Sequence, residues 1–347
     1  MSAATAAPID TPLTRQLGID YPIICGAMYP CSNPQLVAAA SDAGGIGILQ
    51  PISLTYVHGY DFRAGLRLIR SLTDKPIGMN ALIEQSSSRY RQRMQQWIDI
   101  ALEEGVRFFV TSLGKPGWVV KQVHAAGGLV YHDVTEARWA IKGLDDGVDG
   151  LIAVNNRAGG HAGSRSVEAL YRELADFKVP VICAGGVGSP EAFCRALQLG
   201  YVGVQMGTRF IASRECTASD AYKQAILAAE ENDIVLSERI TGVPVSVINT
   251  PYIQRNGLKS GKLARWMLAG QRRKHLMRML YALKSLYQLK HASLDDSGRR
   301  DYWQAGKSVA GIHSIETTRD IIQQYARACA NCGAGFRNIK ENANERE

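Results

Sequence analysis

No apolar run in the chain approaches the ~20 consecutive residues that a membrane span needs. The segment Met1 to Thr11 is small and polar and lacks a basic start followed by an apolar stretch, so no signal peptide is expected there. Cysteine offers no disulfide framework. Its seven residues are odd in number and irregular in spacing, which points to a reducing, cytoplasmic setting. No G-x-G-x-x-G turn follows the first strand candidate, which argues against an open dinucleotide-binding sheet. No internal repeat or low-complexity tract appears, which leaves no sign of a repeat array.

What is present suits a soluble globular protein with a sizeable core: 46% hydrophobic and 21% charged residues in 347. The net charge of +8 invites a nucleic-acid reading until its location is considered. Between Arg255 and Arg300, twelve Lys and Arg face only Asp295 and Asp296, a local excess of ten that exceeds the whole net charge. The basicity therefore belongs to one region, and no nucleic-acid partner is expected. That region spaces Trp266, Met267, Leu276, Met279, Leu280, Leu283, Leu286 and Tyr287 as on an amphipathic helix pair.

From Tyr21 onward strand-like and helix-like segments alternate. The strand candidates are Tyr21 to Gly26, Ile46 to Leu49, Pro76 to Ala81, Arg107 to Ser112, Leu129 to Asp133, Gly150 to Val154, Val181 to Ala184 and Val202 to Met206. Helices are expected between them, the first opening on the cap-and-proline pair Asn33-Pro34. Eight such units fit an α/β fold of the closed (β/α)8 TIM-barrel type, with parallel strands and helical crossovers. In such barrels the chemistry sits at the carboxyl ends of the strands. Residues 12–214 are expected to form the barrel and 215–300 a smaller, mainly helical basic subdomain over its C-terminal face. Residues 301–330 would return to the barrel, and 331–347 would be a frayed tail.

The informative residues fall at those strand ends. Arg157-Ala158-Gly159-Gly160-His161-Ala162-Gly163 follows the sixth strand. Glycine there lets the backbone pass close to a flat ligand, and the imidazole exchanges protons near neutral pH. Gly185-Gly186-Val187-Gly188 and Met206-Gly207-Thr208-Arg209 follow the seventh and eighth, where barrels often bind a cofactor phosphate on backbone N–H groups. Gly26-Ala27-Met28 after the first strand offers a small-residue platform and a soft side chain, and Asn80 a hydrogen-bonding amide. The arrangement suggests FMN, with its phosphate over Gly186 and Gly207 and its ring near Met28 and His161. His132-Asp133 ends the fifth strand and is expected on the same face, with His132 the further histidine to follow.

PIICGAM, AGGIG, RAGGHAG, ICAGGVGSPE, VQMGTRF and WQAGKSVAGI resemble the nitronate monooxygenase (2-nitropropane dioxygenase) family of FMN barrel proteins. Flavin-type enoyl-ACP reductases and an NADH:quinone reductase belong to the same superfamily. The likeness covers about Thr11 to Phe210 and resumes near Tyr302 to Gln323. It implies FMN contacts at Gly26, Ala27, Met28, Asn80, Gly160, Ala184, Gly185, Gly186, Gly207 and Thr208, with His161 catalytic. It also implies oxidation of a small anionic nitronate by O2 to a carbonyl compound and nitrite. The alternative it carries is an NAD(P)H-dependent flavin reductase of quinones or enoyl thioesters. Three positions depart from the family pattern. Arg157 stands where an acidic residue often precedes AGGH, and is expected to favour an anionic substrate. Asp133 replaces a Lys of the quinone reductase, and Gly26-Ala27 replaces Gly-Gly or Ala-Pro.

Other signals weigh less. Cys329-Ala330-Asn331-Cys332 has no second pair to complete a zinc site, so no metal is expected. Cys25 and Cys31 flank the first loop and leave a cysteine nucleophile open. Ala305-Gly306-Lys307-Ser308 lacks the leading glycine of a P-loop. Whether the chain pairs as a homodimer is left open.

Overall fold

The computed structural model describes residues 5–83, 88–239, 241–259, 261, 281, 284, 286–294 and 301–331. Most of the basic stretch, 262–280 and 295–300, lies outside the described residues, as do Cys332 and the remaining tail. Eight strands close a parallel barrel in sequence order: β1 Ile23–Cys25, β2 Ile46–Leu49, β3 Ile77–Leu82, β4 Phe108–Ser112, β5 Leu129–Val134, β6 Gly150–Val154, β7 Val181–Ala184 and β8 Gly203–Met206. Closure is made by β1, where Cys25 stands opposite Gly47 on one side and Met206 on the other. The barrel itself has no open sheet edge.

Strand parity divides the core. Ile24, Ile48, Val110, Tyr131, Ile152 and Ile182 point inward and pack together. Residues of the opposite parity, such as Ile23, Met79, Phe109, Leu151 and Val204, pack against the helices. Both faces are buried, and the strands therefore read as nearly unbroken apolar runs. Several helices start on a side-chain cap: Asp61 before Phe62–Leu72, Ser166 before Val167–Leu174, and Ser189-Pro190 opening Pro190–Leu199; Asn33 before Pro34–Asp42 makes no such bond. A short helix at Pro12–Leu17 and a π-helical turn at Ser53–Val57 carry no periodicity long enough to read.

After Ile211 the chain leaves the barrel pattern. The described part holds a helix, Asp220–Ala228, and an antiparallel hairpin of β9 (Ile234–Ser237) and β10 (Val245–Ile248). The segment 302–311 then crosses the barrel mouth. Trp303 O accepts from Ile248 N at 2.9 Å and Ala305 N donates to Ser246 O at 3.3 Å. Tyr222 stacks on Trp303 at 5.6 Å. Buried Arg209, 4% exposed, donates to Glu316 at 2.7 Å and to Ser314 O at 3.0 Å, anchoring the far end of this crossing. The helix Thr318–Asn331 closes the ring between Pro34–Asp42 and Pro190–Leu199, with Tyr325 against Phe193 at 5.9 Å. Among the described residues no helix is long and apolar enough to cross a membrane.

The crossing is seated by glycine. A Cβ on Gly188 would lie 1.9 Å from Ser308 O, a contact that backbone alone must relieve. Gly188→Ala is expected to lower stability by about 1–3 kcal/mol, the usual cost of overpacking. The midpoint of urea unfolding measures it, and an unchanged midpoint would show that the crossing does not depend on this contact.

Candidate active site

The loop after β6 is stapled before it reaches His161. Asn155, fully buried, accepts from Arg157 N at 2.8 Å and donates through Nδ2 to Gly185 O at 3.0 Å. One amide thus fixes both the loop after β6 and the turn after β7. The loop's far end is held where Gly160, at φ 65°, accepts from Ser246 N of β10 at 2.8 Å. His161 follows directly. Its surface is exposed, yet surrounding protein desolvates the ring and holds its basicity below the ordinary imidazole value. A ring in a concave mouth meets both observations, and it is neutral at pH 7.

The two glycine turns follow β7 and β8 at their carboxyl ends. Gly185 (φ 114°) and Gly186 (φ 80°) adopt conformations other residues rarely take. A Cβ on Gly185 would stand 2.6 Å from Ala158 N, so the close approach of the two loops also requires glycine. Gly207 opens the short helix Thr208–Ile211, and Thr208 Oγ1 accepts from Gly306 N at 3.0 Å. Ala184 ends β7 facing inward. On the β1 side, Gly26 N donates to Met206 O at 3.0 Å. Met28, half-buried beside Ala27, lies 3.4 Å from where a Cβ on Gly207 would be. Contacts therefore run from Met28 through Gly207, Thr208 and Gly306 to the Arg157–Gly160 loop and Gly186.

Parity places Asn80, Asp133 and Gln205 toward the lumen, flanked along their strands by residues that face the helices. Gln205 is a mouth residue that the motif reading passed over, although alternation along GVQM signals it. Asp133 Oδ1 is out of solvent with no hydrogen-bond partner among the described residues, and burial pushes its carboxyl up to about 7. His132 is corrected. It faces outward, 5% exposed, bonded through Nδ1 to Thr111 Oγ1 at 2.9 Å and packed near Gly143, and burial lowers it to about 4. Two neighbours in sequence on one strand face opposite sides.

Arg157 is also revised. Its guanidinium is paired bidentately with Glu231 at 2.7 Å for each bond, so it does not present a free charge to a substrate. Glu231 carried no sequence signal, since it precedes the hairpin from a part of the chain with no motif. A recess of about 610 Å³ beside the ends of β3 and β4, lined by Leu82, Ile83, Tyr90, Arg91, Lys115 and Trp118, contains none of the glycine turns.

The family model for nitronate monooxygenase matches residues 10–326. The chain is 30% identical over 275 residues to the (3aS,4S,5R,7aS)-5-hydroxy-7a-methyl-1-oxo-octahydro-1H-indene-4-carboxyl-CoA dehydrogenase of Rhodococcus jostii, covering 79% of this chain and 75% of that one. It is 28% identical to a probable nitronate monooxygenase of Staphylococcus saprophyticus, covering 71% and 81%. The structure of FabK from Thermotoga maritima superposes with a TM-score of 0.78 at 26% identity, over 93% of this chain and 97% of that one. A barrel whose mouth is ringed by these turns, matched along nearly its whole length, belongs to the nitronate monooxygenase family. It is an oxidoreductase by that membership.

The unpaired carboxyl of Asp133 makes a signed prediction. Its folded pKa is raised from 3.8 to about 7, so the folded state keeps a proton that the unfolded state releases, and stability is lost as pH rises between those values. Asp133→Asn should raise the melting temperature of the flavin-free protein at pH 8, with the gain shrinking as pH falls through 7 and vanishing near 4. A gain independent of pH would place the carboxyl in solvent.

Proposed function

We propose that the chain is an FMN-dependent nitronate monooxygenase, oxidising alkyl nitronates with O2 to a carbonyl compound and nitrite. The observation that carries the reading is the meeting of two glycine turns and a solvent-facing imidazole at one end of the barrel. The turns after β7 and β8 suit a phosphate on backbone N–H groups, the place where barrels commonly hold one. The residues fit a flavin on two further counts. Gly26 and Ala27 with the Met28 thioether offer a flat apolar platform. The orphaned Asp133 Oδ1 is a polar atom in want of a partner, and Asn80 shares its inward parity.

In this reading Gly26, Ala27, Met28, Asn80, Gly160, Ala184, Gly185, Gly186, Gly207 and Thr208 hold the cofactor. The flavin, when bound, supplies the redox chemistry. His161 is the catalytic residue. Being neutral, it accepts the α-proton of a nitroalkane, and its N–H donates a hydrogen bond to the nitro oxygens of the resulting anion. The anchored ends of its loop, Asn155 and the Gly160–Ser246 bond, hold the imidazole in place. A second reading, an NAD(P)H-dependent reductase of enoyl thioesters or quinones, is favoured by the likeness to a relative that acts on a CoA compound.

Purified protein is expected to be yellow. Mixed anaerobically, propyl nitronate should bleach it and NADPH should not; fast bleaching by NADPH with indifference to nitronate would establish the second reading instead. His161→Ala should keep FMN and lose about 10²- to 10⁴-fold in kcat, and unchanged kinetics would strip His161 of its role. Gly186→Val, at φ 80°, should weaken FMN binding; full occupancy in equilibrium dialysis would remove the phosphate assignment.

A further inference from the structure

Three charged side chains border the glycine turns and have no part in the chemistry above. Arg157 runs across Gly186, its Nε and Cδ 2.8 and 2.9 Å from where a Cβ on that glycine would lie. Its guanidinium meets the Glu231 carboxylate through two bonds of 2.7 Å, and Lys307 Nζ lies 3.5 Å from the same carboxylate. The three come from separate pieces of chain: the loop after β6, the turn before β9 and the segment crossing the mouth. Backbone ties two of the three, because Lys307 N donates to Arg157 O at 2.9 Å, and the neighbouring Gly306 N donates to Thr208 Oγ1 at 3.0 Å. Each side chain keeps about a third of its surface in solvent, 34%, 37% and 38%. An ion pair so exposed is weak enough to exchange.

Two cations against one carboxylate leave a surplus positive charge beside Gly186. A phosphate monoester carries close to two negative charges at neutral pH and offers Arg the same bidentate geometry as a carboxylate. A Lys beside it acts as a point charge on the same group.

We propose that Arg157, Lys307 and Glu231 form an exchange clasp for the phosphate end of FMN, in which the arriving phosphate and the Glu231 carboxylate compete for the same two cations. The inference rests on the flavin reading and deepens it, since it assigns the residues that set cofactor affinity. Arg157 then serves the cofactor, in place of the anionic substrate its sequence position suggested. Competition decides the sign at each position. Loss of Arg157 or Lys307 loosens FMN, whereas loss of the Glu231 charge tightens it.

The test is titration of flavin-free protein with FMN and with riboflavin, which has the ring and ribityl chain but no phosphate, followed by quenching of flavin fluorescence. Arg157→Met and Lys307→Met should each raise the Kd for FMN about tenfold and Glu231→Gln should lower it about tenfold, as expected for one charge-assisted contact. Riboflavin affinity should stay within about twofold in all three variants. In the unmodified protein the preference for FMN over riboflavin should fall as NaCl rises from about 50 to about 500 mM, through screening; this arm needs no variant to fold. Equal changes for both ligands in Arg157→Met, weaker FMN binding in Glu231→Gln, or a salt-independent preference would overturn the clasp while leaving the flavin reading intact. Failure of the unmodified, folded protein to bind either ligand would overturn both.

Discussion

Backbone packed directly on backbone is the constraint on which the barrel mouth depends. A Cβ on Gly306 would stand 2.6 Å from both Arg157 O and Gly159 N, and one on Gly185 would stand 2.6 Å from Ala158 N. Such approaches are open only to glycine. They let the loop after β6, the turn after β7 and the segment crossing the mouth share one layer. The single amide of Asn155 then serves two loops, and β10 pins the loop at Gly160 through Ser246. His161 is held by the ends of its loop.

Electrostatics at the mouth divide by depth. In the lumen, desolvation raises the Asp133 carboxyl, and its Oδ1 has no hydrogen-bond partner among the described residues. At the rim, Glu231 is held below the ordinary carboxylate range, chiefly by its bonds to Arg157. The two carboxyls thus differ in protonation near pH 7, one partly neutral and one fully ionised, because of where each lies. His161 sits between these regimes: depressed by surrounding protein, yet open to solvent.

Much of the barrel was legible because a buried parallel strand announces itself as a short apolar run. Ile46–Leu49, Gly150–Val154 and Val181–Ala184 have the bounds the sequence suggests, and caps such as Ser189-Pro190 mark helix starts. Short elements were not legible: Pro12–Leu17 is too brief to show a period, and the β9–β10 pairing depends on contacts far along the chain. The mouth was legible where glycines cluster after strands. The roles of Asn155 and Glu231 are not legible, because an amide or carboxylate without a motif gains meaning only from what it touches. His132 shares a strand end with Asp133 but not its face, because strand parity turns it outward against Gly143.

The sequence by itself determined the alternation of strands and helices, the count of eight, and the glycine turns at the carboxyl ends of β6, β7 and β8. These are local properties, set by apolar runs, caps and residues that tolerate positive φ. Only the tertiary structure decided that Arg157 meets Glu231 across 74 positions of chain, that Lys307 joins them, and that Asp133 Oδ1 lies out of solvent with no hydrogen-bond partner among the described residues. Charge pairing and desolvation are properties of a place in space, and that place exists only once the barrel has closed.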